Sequence, residues 1–66
     1  MFVWHYLDES GEDLGRSHPF DDQPTAEEWM GEAWPDLRER GVEEVVLMDE
    51  ERHARVYRMA LAEDSA

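Results

Sequence analysis

The chain predicts an α+β fold of two layers: a four-stranded, mainly antiparallel sheet with one helix on one face, in the order ββαββ. Two short strand-like segments lie near each end, divided by polar turns, and the first, Phe2–Leu7, is rich in aromatic and β-branched residues. Between the two pairs, apolar residues recur with a helical period. Sixty-six residues sustain one core, so the hairpins and the helix must share it.

The first strand is Phe2–Leu7, with Phe2, Trp4 and Tyr6 on one face and Val3, His5 and Leu7 on the other. Asp8–Asp13 is a polar hairpin connection around Gly11, and Leu14–Ser17 a short second strand. Pro19 cannot donate to a ladder, so this strand stops before it or lies at an edge. His18–Pro24 leads to a helix over about residues 25–40. Thr25 is its expected N-cap, in the capping box Thr25-Ala26-Glu27-Glu28. Ala26, Trp29, Met30, Ala33, Trp34 and Leu37 fall within an arc of about 140°. Glu27 and Glu28 in the first turn and Arg38 and Arg40 in the last suit the helix dipole. Gly41 supplies a left-handed terminus that lets Val42 fold back over Leu37. Pro35 falls in the middle of the polar face and predicts a bend with its convex side to water. Val42–Met48 is the third strand and Asp49–His53 a charged turn. Ala54–Leu61 is the fourth strand, with Tyr57, Met59 and Leu61 on one face. Residues 1–61 form a single domain, and 62–66 an expected disordered acidic tail.

Eighteen acidic residues against six basic ones give a formal charge of -12. Such a chain lacks the basic clusters that neutralise phosphates, which excludes nucleic acid and anionic membrane surfaces as partners. No apolar run reaches the length of a membrane span, and Met1–Tyr6 lacks the pattern of a signal peptide, so a cytoplasmic protein is expected. The absence of cysteine removes disulfides, thiolate metal sites and thiol nucleophiles. Stability rests on packing alone, which is marginal at this length and favours self-association.

The imidazoles of His5, His18 and His53 show no ligand spacing, so surface placement is the simpler reading and no metal or cofactor is assigned. Asp8–Asp13 has the acidity and glycine of a calcium loop without its twelve-residue spacing, and reads as a solvated turn. Ser17 and His18 are neighbours that a strand would point to opposite faces, so they make no catalytic pair. No glycine-rich phosphate loop exists, and no catalytic residue is assigned: the chain is read as not an enzyme.

Aromatic residues and arginines remain. Trp29 and Trp34 lie at opposite margins of the helix stripe, and both Trp and Arg are typical of binding hot spots, although a core role is the simpler one. One helix covers one face of a sheet. If it covers Phe2, Trp4, Tyr6, Tyr57, Met59 and Leu61, the other face carries Val3, His5, Leu7, Val46, Met48, Val56 and Arg58. That set is too apolar for an ordinary wet face and, with Trp29 and Trp34, forms the candidate interaction surface.

Lys, Asn, Ile and Cys are all missing, which points to a high-GC bacterial genome. On Tyr6-Leu7-Asp8, Gly11, Gly15-Arg16-Ser17, Phe20-Asp21-Asp22-Gln23, Trp29, Trp34, Gly41-Val42 and Val56-Tyr57-Arg58-Met59, the chain resembles a group of short acidic proteins of unknown function from high-GC Gram-positive bacteria. The resemblance spans nearly the whole chain and implies no activity. The expectation is a small non-catalytic protein-interaction module, self-associating as a homodimer through the open sheet face or an edge strand. The alternatives are an acidic regulator that mimics nucleic acid before a basic protein, and metal or small-ligand binding through His and carboxylates.

Overall fold

The computed structural model describes residues 1–61; the acidic tail expected at 62–66 lies outside the described residues. The strands are β1 (Phe2–Leu7), β2 (Asp13–Arg16), β3 (Glu44–Asp49) and β4 (Ala54–Ala60), with helix α1 (Gln23–Glu39) between the two pairs. They form one sheet in the order β2-β1-β3-β4, and every neighbouring pair is antiparallel. The ββαββ arrangement is thus as the sequence predicts. β1 and β3, the two most apolar strands, occupy the centre, where both backbone edges are paired.

Trp4 organises the core. It is completely buried, and its indole Nε1–H donates to the carbonyl oxygen of Ala26 at 2.8 Å. That bond ties the middle of β1 to the first turns of α1 and satisfies a polar atom that burial would otherwise strand. Val45, Leu47, Met30, Leu37, Phe20, Val42 and Leu61 close around it. Phe2, Tyr6 and Met59 pack against this cluster from the sheet, so the helix covers the face that carries Phe2, Trp4 and Tyr6.

The helix begins earlier than its expected start. Asp22, not Thr25, is the N-cap: its Oδ1 accepts from the Thr25 N–H at 2.8 Å. Thr25 therefore lies inside the first turn, Pro24 occupies one of the first two helical positions, and Glu27 and Glu28 move out of that turn. Proline is tolerated there because those N–H groups have no partner within the helix. At the other end Arg40 is the C-cap, which leaves Arg38 as the basic residue of the last turn. Gly41 takes φ +95°, its N–H donates to the Arg38 carbonyl at 3.0 Å and that of Val42 to the Leu37 carbonyl at 3.1 Å. This is the paired closure expected of a left-handed glycine terminus.

α1 runs unbroken through Pro35. The proline removes the hydrogen bond to the Gly31 carbonyl, and both residues are exposed, so solvent can take its place. Strand boundaries also move. β2 starts at Asp13 and ends at Arg16, and β3 starts at Glu44, because Val42 is held by the helix cap. Leu61 leaves β4 but stays buried, its N–H donating to the Glu43 carbonyl at 2.8 Å.

Candidate interaction surface

The β1–β3 register pairs Val3 with Met48, His5 with Val46 and Leu7 with Glu44, all on the side turned from the helix. Arg16 joins opposite His5, and Arg58 opposite Val46. Val56 is the extra residue between the Leu47–Tyr57 and Met48–Arg55 pairs, so the register assigns it to neither face. Six of the nine residues singled out from the sequence, Val3, His5, Leu7, Val46, Met48 and Arg58, thus share one face. Trp29 and Trp34 do not belong to it. Both pack half-buried against the core from the helix layer, Trp29 with its ring 5.4 Å from that of Phe20 and 5.5 Å from that of His18.

A bulge changes the composition of this face. Met48 pairs with Arg55 while Leu47 pairs with Tyr57, leaving one extra residue in β4. Strict alternation would send Arg55 to the helix side with Tyr57 and Met59; the bulge returns it to the open side. There Arg55, His5, Leu7, Asp13, Val46, Met48 and His53 line a shallow, wide depression of about 470 Å³. His5 and His53 therefore line the same depression, while the His18 ring lies against that of Trp29. His53, at φ 54°, is turned by the β3–β4 hairpin loop, where Asp49 Oδ1 accepts from the Glu51 N–H at 3.0 Å. Arg55 and His53 lie outside the surface set gathered from the sequence; the signal available was an arginine at a position that alternation assigns to the core.

The middle of the face is drier than an uncovered sheet suggests. Val3 and Val46 are only 7% and 8% exposed. Long polar neighbours lean across them: Arg58 Nε meets Glu44 Oε2 at 2.9 Å, and the His5 Nε2 lies 3.9 Å from Glu50 Oε1. The register sets Val3 between His5 and Glu50. His5 Nε2 is buried without a hydrogen-bond partner among the described residues. The face is therefore an apolar strip under a charged fringe, with Arg16, Arg55 and Arg58 set against Asp13, Glu44 and Glu50.

The outer side of α1 is different. Glu28, Glu32 and Asp36 follow one another at four-residue spacing, all exposed. Of these, Asp36 meets Arg40 at 3.6 Å. The chain's negative charge is thus concentrated away from the open sheet face.

In the turn between β1 and β2, Asp8 Oδ1 accepts from the Ser10 N–H, the Ser10 hydroxyl and the Glu12 N–H at 2.8–2.9 Å. Hydrogen bonding from Glu12 first, then Ser10, holds its carboxyl below the usual carboxylate range. That oxygen is engaged by its own turn, as a solvated hairpin connection requires. Among the described residues, no group of three or more His, Asp or Glu is placed to hold a metal ion. No described helix is long and apolar enough to cross a membrane.

Fold and surface together define a small two-layer α+β module whose described residues leave one sheet face and one long edge strand uncovered. Comparison with protein-family models, with curated proteins and with solved structures gives no match.

Proposed function

We propose that the chain is a non-catalytic protein-interaction module that self-associates by packing the open sheet face of one copy on that of another. One observation carries this reading: in a chain of formal charge -12, this face has three arginines against three carboxylates around an apolar strip. Two copies repel through almost any other part of their surface. A two-fold pairing of this face sets arginines of one copy against carboxylates of the other, while the acidic helices point outward.

The size of the face sets the strength. Four strands at about 4.8 Å spacing and six residues at about 3.3 Å give a footprint of about 380 Å² per copy. That lies at the low end of specific interfaces, so a weak dimer follows. Sedimentation equilibrium tests it. The apparent mass rises from 7.8 kDa towards twice that between about 10 µM and 1 mM. Arg58→Glu, which keeps the fold but places two carboxylates side by side, stays monomeric throughout. A wild-type chain that is monomeric at 1 mM overturns the reading.

A further inference from the structure

We infer that the free edge of β4 is a docking site for an extended peptide segment of a partner, one that alternates aliphatic and acidic side chains. β4 is the long edge strand, pairs among the described residues with β3 alone, and is exposed at every position but Met59. The opposite edge is poorly suited: β2 has four residues, a bulge and Gly15 at φ +143°.

Hydrogen-bond alternation shows which backbone groups are available. The Leu61 N–H bonds inward to Glu43, and the register carries that inward set through Met59 and Tyr57. The N–H and C=O groups of Arg58 and Ala60 therefore point outward, where an added antiparallel strand can take them up.

Side-chain chemistry selects the occupant. On the helix side, α1 stops short of β4 and leaves a gap of about 100 Å³ lined by Trp4, Glu27, Met30, Tyr57 and Met59. It has room for one aliphatic side chain, and the Glu27 carboxylate, already bonded by Gln23 at 2.6 Å, disfavours a second carboxylate there. On the open side the added strand meets Arg55 and Arg58. Residues 52–60 hold three of the six arginines and no carboxylate. A second copy of β4 would bring this basic strand against itself; an acidic-apolar strand complements it.

Amide chemical shifts of the full chain at about 5 µM, below the range of self-association, test the inference with three end-capped hexapeptides. One alternates leucine and aspartate, one leucine and lysine, and one is the first with alternate amides N-methylated. The expected result is saturable shifts on residues 54–61 and Met30. The aspartate peptide binds at least about three-fold tighter than the lysine peptide, and the N-methylated one is silent. Arg55→Ala, at an exposed site, keeps the binding surface and narrows the aspartate preference. Absence of saturable shifts at millimolar peptide, equal affinity for the two charges, shifts confined to His5, Val46 and Met48, or spontaneous β4–β4 pairing without peptide would each overturn it.

Discussion

Asp22 shows how one side chain decides where an element begins. Its carboxylate caps α1, and hydrogen bonds from the Thr25 hydroxyl and then the Thr25 N–H hold its carboxyl below the usual carboxylate range. A carboxyl depressed in the folded state adds stability above its unfolded pKa. That contribution is lost as pH falls through the folded value. Asp22→Asn keeps a capping oxygen but cannot titrate, so between pH 5 and about pH 2 it loses less stability than the wild type. At neutral pH, Asp22→Ala lowers the melting midpoint by roughly 5 °C, and Thr25→Ala, which retains the N–H that Asp22 accepts, lowers it less. Thermal melts of the three variants check both statements, and a larger loss for Thr25→Ala would restore Thr25 as the cap.

Along the helix and just past its C-cap, the same substitution has opposite signs at two glycines. A Cβ on Gly31 meets nothing within 4 Å, and its backbone is ordinary helix. Gly31→Ala therefore stabilises by about 0.5–1 kcal/mol through the lower entropy of the unfolded chain. Gly41 is equally open but sits at φ +95°. Gly41→Ala costs about 1 kcal/mol and loosens the closure that brings Val42 over Leu37. Urea unfolding of both variants separates space from conformation, since open surroundings alone would let both alanines stabilise.

For the whole molecule, charge placement governs behaviour. A formal charge of -12 on a chain of this size opposes compaction, and the exposed line Glu28, Glu32 and Asp36 adds like-charge contacts at helical spacing. Surface ion pairs such as Asp36–Arg40, with both side chains about 70% exposed, offset little of it. Sodium chloride raised from about 10 to 300 mM therefore raises the melting midpoint of the monomer, because screening weakens repulsion more than it weakens these few pairs. A midpoint that falls with salt would show that the attractive pairs dominate.

Much of this molecule is legible one residue after another. The helix stripe, the left-handed glycine after it and the two faces of β1 depend on side-chain period and backbone preference, which neighbours in sequence decide. For the same reason six of the nine surface residues could be gathered on one face before any strand was paired. The central place of β1 between β2 and β3, the bulge that returns Arg55 to the open side, and the depression that His5 and His53 both line were settled only in the tertiary structure. So was the choice of Asp22 over Thr25, two residues equally able to cap, where the Trp4 bond to Ala26 and the pairing of Phe2 with Phe20 fix how the chain enters the helix. Contacts between segments far apart in the chain carry the energy that separates these alternatives, and local preference is nearly indifferent between them.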